Sequence, residues 1–183
     1  MCAMLSRKGC APRRGRVSSP LPLIVKKQDV IQKILDHLSD ELDLYTRAAR
    51  AAFAEATDEQ SRSENKYDTR GLEASYLARG QARQVAEVEE SLRQFKALGA
   101  RVFGPHDAAA VGALVELEGR GGRAFYLLGP RAGGTEVVVD GHEVLVLTPE
   151  SPLGAQLMGR CAGERLKLTL AGARQDHRVA SIS

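Results

Sequence analysis

Apolar residues recur with a seven-residue period along residues 28–57. Two interleaved series give alternating steps of four and three residues, a spacing typical of the a/d seam of a coiled coil. The two series are Ile31, Leu38, Tyr45 and Ala52, and Leu35, Leu42, Ala49 and Ala56. Because no Pro or Gly interrupts the segment, we predict one long helix over 28–57.

The same period returns in residues 71–98, with the order of side-chain sizes reversed. Its two series are Gly71, Ala78, Val85 and Leu92, and Ala74, Gln81, Val88 and Phe95. Small residues come first here but last in the first segment. An antiparallel hairpin over 28–98 would pair small with small residues near a polar tip at 57–70. A parallel dimer of long helices is the alternative, which the polar break and the reversed gradient disfavour.

Strand-like alternation replaces the helical period after Gly99 and the Gly104-Pro105 pair. Glycine-rich breaks separate the strands, and Asp140-Gly141 predicts a tight hairpin turn. Ser151 as cap and Pro152 at the first position predict one short helix over 152–158. Residues 99–183 therefore predict a compact α+β domain, with an antiparallel sheet and one short helix. The expected strands are 111–117, 124–128, 136–139, 143–147, 165–170 and 177–182.

The net charge of +3 is unevenly distributed along the chain. Residues 1–27 carry seven basic residues and no acid, which leaves 19 basic and 23 acidic residues in 28–183. Residues 28–183 are therefore mildly acidic, unlike a protein that binds nucleic acid through its own basic surface. We expect a disordered basic tail over 1–27. An arm for nucleic acid, a targeting leader, or true initiation at Val25 are its alternative interpretations.

Cysteine and histidine spacing gives no disulfide framework and no zinc site. Cys2, Cys10 and Cys161 are scattered, so we expect free thiols in a reducing cytoplasm. No apolar run is long enough to span a membrane, and no set of residues suggests a hydrolase. We therefore expect a cytoplasmic protein with no tightly bound cofactor.

Four carboxylates gather in the polar segment between the two predicted helices: Asp58, Glu59, Glu64 and Asp68. Carboxylates at the end of a rod could share Mg²⁺ with a second macromolecule, because Mg²⁺ is commonly held by one or two carboxylates together with phosphates. An acidic turn that is simply solvated is the alternative.

Three segments resemble the Gre (GreA/GreB) family of bacterial transcription elongation factors, in a divergent branch. Residues 63–67 (Ser-Glu-Asn-Lys-Tyr) are similar to the family's tip signature. Residues 151–160 and 125–130 are similar to signatures of its C-terminal FKBP-like domain. The resemblance covers about residues 28–183, in the family's order of hairpin first and FKBP-like domain second.

The resemblance implies a factor that binds RNA polymerase, with nucleic acid met only through the elongation complex. The C-terminal domain would dock through Ser151, Pro152 and Leu153, and the hairpin would enter the secondary channel. Glu64, with Asp58 or Glu59, would help to hold a shared Mg²⁺ while the polymerase cleaves backtracked RNA. The chain itself would not be an enzyme, and we expect a monomer.

One departure from the family pattern concerns the metal-holding pair. The family places an Asp three residues before the tip Glu, whereas Ser61 stands three residues before Glu64 here. Ser is a neutral and weak Mg²⁺ ligand. A regulator that occupies the channel without cleavage, in competition with other Gre-type factors, is therefore a second hypothesis. A coiled-coil scaffold or chaperone is a third, and a prolyl isomerase a fourth, disfavoured because fold does not imply function.

Overall fold

The computed structural model describes residues 25–57, 70–98, 101–104, 106–119, 121–170 and 173–183. The chain divides into two compact units. One is Ile31–Leu98, and the other comprises the described residues of 1–30 and 99–183.

Two long helices form the described part of the first unit, and the first four residues of α1 belong to the second. Helix α1 spans Lys27–Thr57 and helix α2 spans Arg70–Leu98. Each begins one residue before the range that its periodicity predicts. Asp29 in the first turn of α1, and Glu73 and Lys96 in the first and last turns of α2, have the charges that the helix dipole favours. None of the described helices is long and apolar enough to cross a membrane.

Both predicted apolar stripes are removed from solvent. In α1, Ile31 and Leu38 are buried and the later seam positions are buried or half-buried up to Ala52. In α2, Val88, Leu92 and Phe95 are buried, and Phe95 is fully enclosed. This burial confirms the direction of the apolar face on each helix. The pairing of the two stripes as a coiled-coil hairpin stays a prediction.

Six strands form a single sheet in the second unit. Its order is β3-β4-β2-β1-β6-β5, with β3 and β5 at the edges. A short helix, α3 (Pro152–Leu157), lies between β4 and β5 in the chain. The strands are β1 (Leu114–Gly119), β2 (Gly122–Leu128), β3 (Glu136–Val139), β4 (His142–Leu147), β5 (Arg165–Leu170) and β6 (Ala173–Ile182).

Strand positions agree with the sequence pattern, while some ends differ. β3 and β5 have the predicted bounds, but β1 begins at Leu114 instead of residue 111. Gly112 has φ 94°, and the amide of Ala113 donates to the carbonyl of Ala110 at 2.9 Å. Because residues 110–113 form this turn, β1 begins three residues later than predicted. The predicted Asp140-Gly141 hairpin is confirmed, with φ of 50° and 78° at the two turn residues.

One strand pair corrects the expectation of a purely antiparallel sheet. β2 and β4 are parallel, with Phe125 opposite Val144 and Leu128 opposite Leu147. The connection after β2 leads first to the edge strand β3, and the tight turn then returns the chain. β4 therefore fills the position between β3 and β2, and its direction must match that of β2.

The centre of the sheet is buried on both faces. Consecutive residues of β1 from Leu114 to Leu117 are all buried, although their side chains alternate between faces. One face contributes Val115, Leu117 and Leu168 to a core cluster that also encloses Leu157 of α3. A strand with a single buried face would have shown alternating exposure.

Candidate functional site

The segment at the start of α3 contains the three residues for which the family resemblance implies a docking role. Ser151 adopts an extended conformation (φ −68°, ψ 148°), and its Oγ accepts a hydrogen bond from the amide of Gly154 at 3.0 Å. The same hydroxyl donates to the carbonyl of Thr148 at 2.8 Å. Pro152 follows at a position where a missing amide proton costs nothing. Ser151 is thus an N-cap that also fastens α3 to the preceding turn.

Gly154 is required by the closeness of this turn. A Cβ at this position would lie 2.0 Å from the carbonyl oxygen of Thr148 and 2.7 Å from Oγ of Ser151. The first contact is with backbone, which cannot swing away. The glycine of the 151–154 signature therefore allows α3 to approach the end of β4, a role that sequence reasoning did not assign to it.

The far end of α3 is fixed as well. The amide of Gly159 donates to the carbonyl of Ala109, and the amide of Ala109 donates to the carbonyl of Arg160, both at 2.7 Å. Leu157 is fully buried in the core cluster. With both ends bonded, α3 is a rigid element on which exposed side chains have fixed positions.

The residues of α3 differ in exposure: some pack on the core and others face solvent. Leu153 is half-buried and packs on the core cluster. Pro152 and Ala155 are exposed. The structure thus brings together Ser151, Pro152 and Leu153, but Ser151 is engaged within the chain and Pro152 offers the freest apolar surface of the three.

The tip carboxylates Asp58, Glu59 and Glu64 lie outside the described residues, as does Ser61. They belong to the connection between α1 and α2. Among the described residues, no group of three or more His, Cys, Asp or Glu side chains is arranged to hold a metal ion.

Large apolar side chains are exposed on the parts of the helices next to this connection. Phe53 is 65% exposed on α1, and Leu72 and Tyr76 are 57% and 65% exposed on α2. They lie off the seam positions, so the seven-residue period leaves them without a packing role inside the unit.

A pair of cations around one ring was not foreseen from the sequence. Nζ of Lys27 lies 4.9 Å from the ring centre of Phe103, and the guanidinium carbon of Arg101 lies 4.7 Å from it. Lys27 also donates to the carbonyl of Arg101. Burial, and secondly the charge of Arg101, lower the pKa of Lys27. Lys27 is 74 residues from Arg101 in the chain, so no local pattern could have revealed the cluster.

Several solved structures are similar to this chain at low identity. GreA factor homolog 1 (Gfh1) of Thermus thermophilus is 20% identical, over 85% of this chain and 94% of that chain, with a TM-score of 0.34. Gfh1 of Thermus aquaticus is 22% identical, over 84% and 92%, with a TM-score of 0.36. The elongation factor GreA/GreB from Nitrosomonas europaea is 15% identical, over 61% and 92%, with a TM-score of 0.33.

No protein-family model matches the chain. No curated protein matches it either. At these identities and TM-scores, the chain is similar to the Gre-type factors only distantly.

Proposed function

We propose that this chain is an accessory factor of RNA polymerase, of the Gre type, that acts during transcript elongation. The observation that carries the proposal is the 151–154 signature. Its Ser caps α3, its Pro starts the helix, and its Gly leaves room for the carbonyl oxygen of Thr148, which would lie 2.0 Å from any Cβ at that position. Each residue of the signature thus has a definite role in presenting this rigid corner.

The docking surface in this proposal is the exposed start of α3. Pro152 is exposed, and Leu153 is held half-buried beside it. A rigid apolar projection costs little conformational entropy on binding, because its side chains are already ordered. Contact with the polymerase would therefore centre on Pro152, with Leu153 and Ser151 positioning it.

The helical unit would carry the tip to the polymerase active site. The 31 residues of α1 correspond to about 46 Å of helix at about 1.5 Å per residue. A rod of that length separates its tip from its base far enough to enter a narrow channel. The buried stripes on both helices support a hairpin, because each helix needs an apolar partner.

At the tip, Glu64 with Asp58 or Glu59 would supply the carboxylate oxygens for a Mg²⁺ ion shared with the polymerase. A Mg²⁺ ion held there would lower the pKa of a bound water and stabilise charge at the phosphate that is cleaved. The chain contributes carboxylates and position, while the polymerase catalyses the cleavage. The factor is therefore not an independent nuclease.

The decisive experiment is RNA cleavage in a stalled, backtracked elongation complex with Mg²⁺, comparing the natural chain with Glu64→Ala. We expect shortened transcripts with the natural chain and their loss with the variant. Glu55→Ala is the matched control, because Glu55 is an exposed carboxylate at the end of α1. Equal loss in both variants would indicate a general charge effect and contradict the assigned role of Glu64.

A channel-occupying regulator without cleavage is a second candidate, favoured by Ser61 at the position of the expected Asp. Its signature would be polymerase binding, no cleavage, and competition with a cleavage factor. Ser61→Asp should then raise cleavage above that of the natural chain if Glu64 is correctly placed, because a second charged ligand strengthens Mg²⁺ binding.

The docking surface is tested separately with Pro152→Glu and Pro152→Ala. Both residues are accepted in the first turn of a helix, and Glu suits its positive dipole end. Pro152→Glu should weaken polymerase binding by about tenfold or more, and Pro152→Ala should weaken it less. Unchanged binding of Pro152→Glu would exclude this docking surface. Failure of the natural chain to bind polymerase at all would leave a coiled-coil scaffold as the better description.

A further inference from the structure

Charged side chains form a continuous exposed patch at the β5 edge of the sheet. Arg178 on β6 lies directly opposite Glu118 on β1 and Arg165 on β5. Two residues along, Lys167 on β5 lies opposite Asp176 on β6. All five are exposed. Because residues two apart on a strand share a face, these side chains project from the same side of the sheet.

The Arg165–Arg178 pair is unfavourable for the sheet alone. Like charges directly opposite each other on neighbouring strands destabilise the pairing. Across the part of the chain that the structure describes, neither arginine makes an ion pair, and Lys167 makes none. Arg123, in the same cross-strand row, is by contrast compensated by Glu116 at 3.0 Å.

These residues line an open groove of about 690 Å³. Its volume is within the range of small-ligand sites, which is about 300–1,000 Å³. His177 also lines this edge, but it shares a strand face with the buried Val179, so its ring lies on the core side and not among the charged side chains.

We propose that this groove binds a phosphorylated ligand of nucleotide size. Arginine forks hold phosphate oxygens by paired charge-assisted hydrogen bonds, and a phosphate between Arg165 and Arg178 would convert their repulsion into attraction. Lys167 adds a third positive charge. Glu118 and Asp176 accept hydrogen bonds from hydroxyl or amino groups in the rest of the ligand. The site is independent of the proposed polymerase contact, which centres on α3.

The experiment is titration calorimetry of the full chain with pyrophosphate, with ATP, and with a short single-stranded RNA. We expect the natural chain to bind ATP or pyrophosphate with a dissociation constant of about 10–100 µM. Arg165→Gln and Arg178→Gln should each weaken this binding by about tenfold. Arg131→Gln is the control, because Arg131 is equally an exposed arginine but lies in the loop before β3, at the opposite edge.

Thermal unfolding of the same proteins, first without and then with ligand, is a second and independent measurement. Without ligand, Arg165→Gln should unfold at the same or a higher temperature than the natural chain, because the like-charge contact is relieved. With ATP or pyrophosphate, the natural chain and Arg131→Gln should gain more stability than Arg165→Gln and Arg178→Gln.

Several results would overturn the proposal. One is no binding of ATP or pyrophosphate by the natural chain up to about 1 mM. Another is equal weakening in Arg131→Gln, which would indicate an effect of net charge only. Tight binding of RNA with no binding of ATP or pyrophosphate would replace the small-ligand site with a nucleic-acid surface.

Discussion

Oγ of Ser181 on β6 donates a hydrogen bond of 2.8 Å to Oε2 of Glu116 on β1. Glu116 is only 4% exposed, and its other oxygen lies 3.0 Å from Nη1 of Arg123 on β2. That second contact has the distance of an ion pair without the direction of a hydrogen bond. One buried carboxylate thus connects three neighbouring strands.

Removing this carboxylate should destabilise the second unit. We expect Glu116→Ala to lower its free energy of unfolding by about 1–3 kcal/mol, because Ser181 and Arg123 lose their partner inside the sheet. The figure is at the lower end for buried pairs because the Arg123 side chain is 44% exposed. Urea unfolding measures the effect. Glu118→Ala, an exposed carboxylate on the same strand, is the control and should change stability by about 0.5 kcal/mol or less.

A methyl group at Gly154 would clash with the backbone of Thr148. We expect Gly154→Ala to cost about 2–4 kcal/mol, because its Cβ would lie 2.0 Å from the carbonyl oxygen of Thr148. The cap on α3 must then shift, and polymerase binding should weaken with it. Thermal unfolding and polymerase binding measure the two effects. A variant as stable as the natural chain would show that the turn relaxes easily.

Replacing glycine by alanine at Gly80 should instead raise the free energy of unfolding. This residue lies inside α2, and apart from its chain neighbours and the helix's own backbone, no atom of the described residues lies within 4 Å of a Cβ placed there. Alanine should stabilise the helical unit by about 0.5–1 kcal/mol, because it removes the backbone freedom of glycine from the unfolded chain. Far-ultraviolet circular dichroism during thermal unfolding should show a higher midpoint. A lower midpoint would reveal that Gly80 serves a close contact.

Alkaline pH should weaken the fold through Tyr126. Burial raises the pKa of its phenol above the ordinary value of 10.0. The folded state then holds the proton more tightly than the unfolded state. This stabilisation is complete below pH 10.0 and is lost as the pH rises through the folded pKa. Lys27, whose pKa is lowered, acts in the opposite direction below its ordinary value of 10.5.

Tyr126→Phe separates these two contributions, because Lys27 is present in both proteins. The natural chain should lose stability relative to the variant as the pH rises above 10.0. Urea unfolding at several alkaline pH values measures this difference. A difference that does not depend on pH would contradict the assignment to the Tyr126 phenol.

Local patterns in the sequence were sufficient to locate most elements. The seven-residue period predicted α1 and α2 to within a residue at each end, because a helix repeats its buried face regardless of its partner. Asp140-Gly141 predicted its hairpin because few other residues accept positive φ at both turn positions. Ser151 and Pro152 predicted the start of α3 for the same local reason.

The relationships between distant segments were decided by the tertiary structure. Strand order, the parallel β2–β4 pair and the burial of Glu116 depend on which strands become neighbours, and strand pairing carries no signature within one strand. The opposition of Arg165 and Arg178 depends on register in the same way. Sequence periodicity therefore determined the elements and their apolar faces. Only the three-dimensional pairing decided which charges meet, because charge proximity is a property of register and not of sequence distance.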